Sequence, residues 1–386
     1  MAMNLIPVEP PITEYLHAKA ARAHLPLSGT FELTPVCNMN CRMCYVRMSK
    51  EEQEAIAPLH SAADWIALGR QAVDRGMLYL LLTGGEPFSR PDFFEIMAGL
   101  EQMGLLISIN SNGTLLDEAA VEELRRHPPV RINMTLYGAS DATYERLCRN
   151  PKGFTQATRA IRLLREAGIL VKLNCSVTPY NAQDLPEIMR FAKEEHLVVQ
   201  ATSYMFPPLR RDATMVGKND RFSPEEAAYY AARIESLLNG EDAFLERMRN
   251  KAPVSLPVEP GEDCSIEGEG IRCRAGKCSF WVTWNGRLLP CGMLPVQGEK
   301  DVFQVGFDEA WADASAAAAA IRLPGKCRDC PLRDQCRACA AMVFTESGNF
   351  HTVPEYRCRM AQAYPDACRR VEAEILQARG LQQKEG

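Results

Sequence analysis

The chain has 386 residues, of which 46% are hydrophobic and 24% are charged. This composition is typical of a globular protein, and the length suffices for a large core plus a second domain. A net charge of -5, with no segment rich in lysine and arginine, argues against a nucleic-acid partner. Neither a signal peptide nor an apolar run long enough to cross a bilayer is visible, so we expect a cytoplasmic protein with no membrane role.

The first half of the chain alternates short apolar runs with longer helical patterns, which is typical of strand–helix units around a parallel sheet. Six strands are predicted, at 31–35, 78–83, 106–111, 131–136, 170–178 and 198–204. Helices are predicted at 61–76, 92–103, 117–126, 154–167 and 184–195. The pattern indicates an α/β fold, as a barrel or an open sheet, in which ligands bind at the carboxyl ends of the strands.

The second half has a different character, with proline- and glycine-rich passages and many cysteines. We predict five parts, listed in chain order: an N-terminal extension at 1–30, the strand–helix domain at 31–210, a helical linker at 211–262, a cysteine-rich domain at 263–365, and a C-terminal helix and tail at 366–386. The chain has fifteen cysteines. Because a reducing cytosol disfavours disulfides, the clustered cysteines indicate metal ligation, whereas Cys148, Cys175 and Cys368 are interpreted as small buried residues.

The first cysteine cluster, CNMNCRMC, places Cys37, Cys41 and Cys44 directly after the first predicted strand. A four-iron cluster held by only three thiolates leaves one iron free for an outside ligand, which permits redox chemistry on a bound molecule. A structural zinc site is the alternative, although no fourth His or Cys lies nearby in the sequence.

The second motif is LLTGGEPF, at the end of the second predicted strand. Gly84 and Gly85 allow the backbone to approach a ligand closely, and Glu86 supplies a carboxylate that accepts from an ammonium group. A Gly-Gly pair alone indicates only a turn. Because this motif follows a strand, as the cysteines do, both are expected on the same rim of the sheet.

Together, Cys37, Cys41 and Cys44 with the segment Gly84, Gly85, Glu86 and Pro87 resemble the radical S-adenosylmethionine (SAM) superfamily. The resemblance implies a partial (β/α)6 barrel in which SAM chelates the open iron of a 4Fe-4S cluster. It also implies reductive cleavage of SAM to a 5′-deoxyadenosyl radical that abstracts a substrate hydrogen. One departure is Met43, which stands where the family usually has an aromatic residue, with Tyr45 following the third cysteine.

The same resemblance suggests further cofactor-binding residues. Thr135, on the fourth strand, is a candidate ribose contact, and Arg146 and Arg149 are candidates for binding the SAM carboxylate. Each has an ordinary alternative: Thr135 is a common strand residue, and the arginines suit a solvated helix face.

A hairpin is predicted around Asn285 and Gly286, between SFWVTW and RLLPC. With a two-residue loop, Phe280 faces Cys291, and Cys278 lies diagonally opposite Cys291 at a Cα distance of roughly 7 to 8 Å. That separation is too long for an unstrained disulfide and suits thiolates that bind an iron–sulfur cluster or zinc.

The C-terminal cysteines resemble the SPASM extension of radical SAM enzymes, through Cys273, Gly286 and Cys291 followed by CRDCPLRDQCRAC. Two residues, not the usual three, separate the last two cysteines of that run. The resemblance implies two closed auxiliary 4Fe-4S clusters for electron transfer or scaffolding, and thus three clusters in all. One would use Cys273, Cys278, Cys291 and Cys339; the other Cys327, Cys330, Cys336 and Cys358, with Cys264 as a spare ligand.

Three functions follow as hypotheses. The first is hydrogen abstraction from a peptide or protein side chain, as in ribosomal peptide maturation. Either a separate recognition protein or the bare leader would present the peptide, since thirty N-terminal residues are too few for a recognition domain. An external one-electron reductant is required. The second is a radical SAM oxidoreductase acting on a tetrapyrrole or metabolite, and the third is a non-catalytic iron–sulfur or zinc-stapled protein. Candidates to line either pocket are Tyr137, Tyr204, Arg210 and Arg211, and an ordinary packing or surface role is the equal alternative for each.

Overall fold

A computed structural model describes residues 9–250, 270–294, 300–328 and 330–380, without the side chains of Arg328 and Asp334. All six predicted parallel strands are present: β1 (Ser28–Glu32), β2 (Tyr79–Thr83), β3 (Leu106–Ser111), β4 (Arg131–Thr135), β5 (Val171–Ser176) and β6 (Val198–Thr202). The prediction for β1 was three residues too late. Ser28 and Gly29 pair with β2 through backbone hydrogen bonds, which apolar periodicity does not reveal.

The strands are joined by helices, and two further strands follow in the C-terminal part. Within the described residues the sheet order is β6-β5-β4-β3-β2-β1-β7-β8, so the first six strands lie side by side in chain order. This is the arrangement of a partial (β/α)6 barrel. The other elements are α1 (Pro11–Ala23), α2 (Lys50–Ile56), α3 (Ala62–Asp74), α4 (Phe93–Glu101), α5 (Glu118–Arg126), α6 (Asp141–Cys148), α7 (Gly153–Glu166), α8 (Leu185–Glu194), α9 (Pro224–Asn239), α10 (Glu241–Arg249), β7 (Ser279–Val282), β8 (Leu288–Leu289), α11 (Val302–Val305), α12 (Phe307–Ala320), α13 (Gly325–Arg328), α14 (Arg333–Cys336), α15 (Ala340–Ser347) and α16 (Glu355–Ala378).

The C-terminal hairpin is built onto the barrel sheet. Strand β7 runs parallel to β1, with Ser28 opposite Ser279 and Phe31 opposite Val282. The hairpin register differs by one residue from the prediction, because Trp281 lies opposite Leu289. A three-residue loop, in which Gly286 has a φ of +82°, replaces the predicted two-residue loop. Phe280 therefore does not face Cys291, and the predicted diagonal relation of Cys278 to Cys291 is wrong.

Helices α9, α10 and α16 pack together on the barrel. Glu235 of α9 is buried, forms an ion pair with Arg247 of α10 at 2.6 Å, and accepts from the Tyr364 hydroxyl of α16 at 2.5 Å. The continuous helix α16 crosses the domain boundary predicted at residue 366. Within the described ranges, no helix combines the length and apolar composition that crossing a bilayer requires.

Candidate active site at the carboxyl ends of the strands

Cys37, Cys41 and Cys44 lie in the loop that follows β1, at the carboxyl end of the sheet. The loop folds back on itself, since Cys44 N donates to the Cys41 carbonyl at 3.2 Å. Burial, followed by the charges of Glu86, Cys41 and Cys44, raises the pKa of the Cys37 thiol to about 12. The three cysteines are partly exposed and share one loop, where a bound metal would supply the charge needed to deprotonate them.

The spacing of the thiols bears on which metal they suit. Among the described residues, no three His, Cys, Asp or Glu side chains are close enough to hold a single metal ion. With Zn–S bonds of about 2.3 Å, tetrahedral zinc needs sulfur atoms only about 3.8 Å apart. Ligands of a four-iron cluster each bind a different iron and stand farther apart.

Helix α6 anchors the cysteine loop. The backbone N–H groups of Asn40 and Arg42 donate to the carbonyls of Cys148 and Leu147, at 2.9 and 3.0 Å. Carbonyls of a last helical turn have no partner within the helix, so the loop satisfies them. The buried thiol of Cys148 also forms a hydrogen bond with Cys41. Cys148 is buried as expected, but it lies beside the cysteine trio.

Gly84 and Gly85 allow their segment to pack closely against the backbone that leads into the cysteine loop. A Cβ on Gly84 would come within 2.4 Å of the Thr34 carbonyl oxygen, and one on Gly85 within 2.5 Å of the Pro35 and Val36 oxygens. Gly85 N and Glu86 N donate to the Thr34 and Val36 carbonyls. Their small size thus permits contact between two backbone segments, in addition to any approach to a ligand. Pro87 is buried and begins a short 3-10 turn.

Glu86 is fully buried and faces the end of β3. Its Oε1 accepts from the Ser111 hydroxyl at 2.8 Å and Phe88 N at 3.2 Å, and its Oε2 accepts from Asn112 N at 2.7 Å. Burial raises the pKa of Glu86 to about 7, although these three hydrogen bonds lower it. A carboxylate has about four acceptor positions. Among the described residues, one acceptor position on Oε2 is therefore unused.

The segment after β3 is a functional element that the sequence reasoning missed. Asn112 donates through Nδ2 to the Cys37 sulfur at 3.6 Å and to Asn38 Oδ1 at 2.9 Å. Thr114 in turn accepts from Asn38 Nδ2 at 2.8 Å. The signal available in the sequence was position, because these polar residues follow a predicted parallel strand, as the other two motifs do.

Thr135 lies at the carboxyl end of β4, opposite Asn174 of β5. On these strands, the amide oxygens of Asn133 and Asn174 are buried without a hydrogen-bond partner in the described structure. Thr135 thus lies beside polar groups that suit a ligand, but Tyr144, which donates to its carbonyl at 3.4 Å, is the contact seen at this residue.

Arg146 and Arg149 are exposed at the end of α6. Arg146 donates to the Thr143 hydroxyl at 3.1 Å and to the Tyr180 carbonyl at 3.5 Å, and its own carbonyl accepts from Arg42 Nε at 3.0 Å. Arg149 ends the helix in a left-handed conformation with a φ of 58°. Both lie near the cysteine loop, on its helix-facing side.

The four proposed pocket residues separate into different environments. Tyr137 is half-buried near the trio, where desolvation and the charges of Cys41, Cys148 and Cys44 raise its pKa. Tyr204 instead donates to Glu346 at 2.6 Å, which is a packing role. Arg210 pairs with Glu32, whereas Arg211 is exposed.

The C-terminal cysteines form two groups. Cys273, Cys291 and Cys339 border one hydrophobic cluster, which contains Ile271, Ala275, Leu294, Ala318, Ile321, Ala340 and Ala341. Cys278 is fully buried at the start of β7. In the second group, burial raises the pKa of the Cys358 thiol to about 11, and the charges of Cys336, Cys327 and Cys330 add to this shift. The assignment of these cysteines to two ligand sets stays a prediction, and Cys264 lies outside the described residues.

A cleft of about 560 Å³ lies where the loop after β6 meets the hairpin turn and α15. Its wall is mostly apolar, with two arginines, and includes Met48, Ile56, Leu209, Arg210, Ala213, Val216, Trp284, Arg287, Leu289 and Phe344. This volume is in the range of ligand-binding sites.

Comparison with known proteins agrees with this fold. Residues 31–192 match the Radical SAM superfamily, and the chain therefore contains a radical SAM domain. It is 26% identical to the AdoMet-dependent heme synthase of Methanosarcina barkeri, covering 86% of this chain and 95% of that protein. It is also 26% identical to the PqqA peptide cyclase of Gluconobacter oxydans, covering 83% and 87%. The crystal structure of Streptococcus suis SuiB bound to its precursor peptide SuiA has the same fold, with a TM-score of 0.61, 19% identity, and coverage of 89% and 80%.

Proposed function

We propose that this protein is a radical SAM enzyme that abstracts hydrogen from a peptide or protein side chain. The observation that carries the proposal is the meeting of three strand ends, where the trio of Cys37, Cys41 and Cys44 contacts the Glu86 motif and Asn112. Bound there, a 4Fe-4S cluster and SAM supply reductive cleavage to a 5′-deoxyadenosyl radical, which removes a substrate hydrogen atom. An external one-electron reductant is required.

The chain's own residues have separate tasks in this proposal. The three cysteines hold the cluster and leave one iron for SAM. Glu86 accepts from the SAM ammonium group through the free position on Oε2, and the Gly84–Pro87 segment places that carboxylate beside the cysteine loop. Thr135 binds the ribose, and Arg146 or Arg149 binds the carboxylate after a change of side-chain rotamer. A charge-assisted hydrogen bond to Glu86 fits a partner with a positive charge.

The C-terminal cysteines are proposed to hold two auxiliary 4Fe-4S clusters in a SPASM domain. One group of thiols borders a set of packed hydrophobic side chains, and the thiols of the second group lie close enough for their charges to affect one another. Both groups are suitable ligands for closed iron–sulfur clusters. Closed clusters bind no substrate, so electron transfer and scaffolding are their proposed roles.

A peptide or protein substrate is supported by the nature of several similar proteins. The PqqA peptide cyclase is one, and SuiB was crystallised with its precursor peptide. The cleft beside Arg210 and Trp284 has room for a few residues of an extended chain. A separate recognition protein is proposed to present the peptide.

The second candidate is a reaction on a tetrapyrrole, which the similarity to heme synthases favours. The two candidates differ in the product. Reconstituted protein would be incubated anaerobically with SAM, dithionite and either peptides encoded beside the gene or an iron tetrapyrrole with propionate side chains. A peptide of changed mass supports the leading proposal, and an altered tetrapyrrole supports the second.

The same incubation tests radical chemistry itself. Formation of 5′-deoxyadenosine by the native protein, and none by the Cys37→Ala variant, is expected. If native protein with a full set of clusters forms no 5′-deoxyadenosine, the enzymatic proposal fails. A non-catalytic iron–sulfur protein would then be the remaining function.

A further inference from the structure

A buried ion pair connects the end of β1 with the loop after β6. Arg210 donates two hydrogen bonds to Glu32, from Nη2 to Oε1 at 2.7 Å and from Nη1 to Oε2 at 2.8 Å. The Glu32 side chain is 1% exposed and that of Arg210 is 12% exposed. At this depth water and salt screen the two charges weakly, so they act on groups nearby.

The pair also binds the C-terminal hairpin on one side. Trp281 donates from Nε1 to Glu32 Oε2 at 3.0 Å, and Arg210 donates from Nη1 to the Gly292 carbonyl at 3.2 Å. Gly292 directly follows Cys291 in the chain. A Cβ on Gly292 would lie 2.5 Å from the Trp281 ring, so a glycine is needed for this approach. The pair thereby fixes the backbone beside Cys291.

On its other side the pair reaches the cysteine loop. The guanidinium carbon of Arg210 lies 5.6 Å from the centre of the Tyr45 ring, and Tyr45 directly follows Cys44. The charged groups of the pair therefore lie next to the residues that directly follow Cys44 and Cys291. The ion pair thus lies between the first cysteine set and the hairpin.

We propose that Glu32 and Arg210 are positioning residues that hold Cys291 beside the cysteine loop, and that their charges set the reduction potential of the iron–sulfur cluster bound through Cys291. The inference rests on the proposed function in one respect, that Cys291 is a cluster ligand. Reduction adds an electron to the cluster. A nearby cation therefore raises its potential and a nearby anion lowers it, and in the intact pair the two effects largely offset each other.

The test is a redox titration of the reconstituted, SAM-free protein, followed by electron paramagnetic resonance. Signals of the SAM-binding cluster are identified by their change when SAM is added. Arg210→Gln leaves Glu32 unpaired, so the potential of the auxiliary cluster should fall. Glu32→Gln leaves Arg210 unpaired, so the potential should rise, while the double variant returns towards the native value. Arg210→Lys keeps the charge and should restore most of the potential.

Opposite shifts separate this role from a merely structural one. If the pair served only packing, both single variants would loosen the hairpin and expose the cluster, which shifts the potential in the same direction. Shifts of the same sign, or no shift in variants that retain their iron, overturn the proposal. If Arg210→Gln does not fold, Glu32→Gln and Arg210→Lys still give the sign of the effect.

A matched control exists in the helical layer. Arg247 and Glu235 form a second buried ion pair, with side chains 13% and 1% exposed and a separation of 2.6 Å. Arg247→Gln should lower the melting temperature as Arg210→Gln does, because each leaves a buried carboxylate unpaired. In the Arg247→Gln variant, the reduction potential of the auxiliary cluster should remain that of the native protein. An equal shift in this control would contradict the proposal.

Failure of the inference and failure of the proposed function give different results. If Cys291→Ala retains all its iron, Cys291 is not a ligand and the inference falls, while formation of 5′-deoxyadenosine remains as evidence for the enzyme. If instead the opposite potential shifts appear but no 5′-deoxyadenosine forms, the inference holds and the proposed reaction fails.

Discussion

The side-chain amide of Asn112 donates a hydrogen bond to the sulfur of Cys37 across 3.6 Å. The backbone N–H of the same residue donates to Glu86 at 2.7 Å. Asn112 therefore joins the proposed cluster ligand to the proposed SAM-binding carboxylate. Hydrogen bonds to cluster sulfurs affect reduction potential, and residues that support ligands affect affinity.

We expect Asn112→Ala to weaken the first cluster. Loss of a supporting residue of this kind typically costs about 10- to 100-fold in metal affinity or activity. The measurement is the rate of 5′-deoxyadenosine formation together with the iron content. Asn150→Ala is the control, since Asn150 bonds Gln156 on the outer helices. A rate in Asn112→Ala equal to that of the control would contradict the role given to Asn112.

Cys148→Ala tests whether one iron is truly open. Cys148 is buried and hydrogen-bonds with Cys41, but three cysteines are proposed to complete the protein's share of the cluster. We expect full iron content and continued SAM cleavage, with a loss of about 1 kcal/mol of stability from the small cavity. Cys41→Ala, in contrast, should lose the first cluster. Loss of that cluster from Cys148→Ala would make Cys148 a fourth ligand and leave no iron for SAM.

Gly85→Ala should displace the cysteine loop. The added Cβ would meet the Pro35 and Val36 oxygens at 2.5 Å, and backbone atoms cannot rotate away. Overpacking of this kind costs about 1–3 kcal/mol. Thermal unfolding and iron analysis should both show the damage. Gly325→Ala is the matched control because a Cβ there meets no atom of the described residues within 4 Å. Equal melting temperatures in the two variants would refute the packing argument.

The apoprotein should lose stability with rising pH because of Glu86. Burial raises the pKa of Glu86 to about 7 from an ordinary value of 4.5. Between these values the folded state holds a proton that the unfolded chain releases, so the contribution of Glu86 to stability is fully present below pH 4.5 and is lost as the pH rises through 7. The contribution is on the order of 3 kcal/mol.

Glu86→Gln should remove this pH dependence. Unfolding of both apoproteins would be followed at pH 5 and pH 8, and the difference between them isolates Glu86 from other groups. The variant should lose less stability than the native protein across this interval. An identical loss would show that Glu86 is ionised throughout. Weaker SAM binding by the reconstituted variant is also expected.

Iron content should report the two auxiliary sets separately. We expect Cys336→Ser and Cys291→Ser each to remove about a third of the total iron, since each set is proposed to hold one of three four-iron clusters. Cys175→Ala serves as the control, because Cys175 is buried in the hydrophobic core. Zinc in place of iron and sulfide in the native protein would contradict the cluster assignment of these sets.

Much of the barrel and its rim could be predicted from sequence because both depend on local patterns. Alternation of short apolar runs with helical segments identified all six strands, and the Ser61 and Asp117 caps marked where α3 and α5 begin. Parallel strands present their carboxyl ends on one side, so motifs that follow strands meet there. The placement of the cysteine trio and the Glu86 motif on one rim followed directly.

Long-range relations were decided by the tertiary structure. Local periodicity does not say that β7 pairs with β1 across some 250 residues of chain, since backbone hydrogen bonds carry little sequence information. A one-residue change in loop length moved the hairpin register, because alternation has a period of two. The Glu32–Arg210 pair and the Asn112–Cys37 contact depend on this packing. Side chains distant in sequence meet only where the folded backbone brings them together.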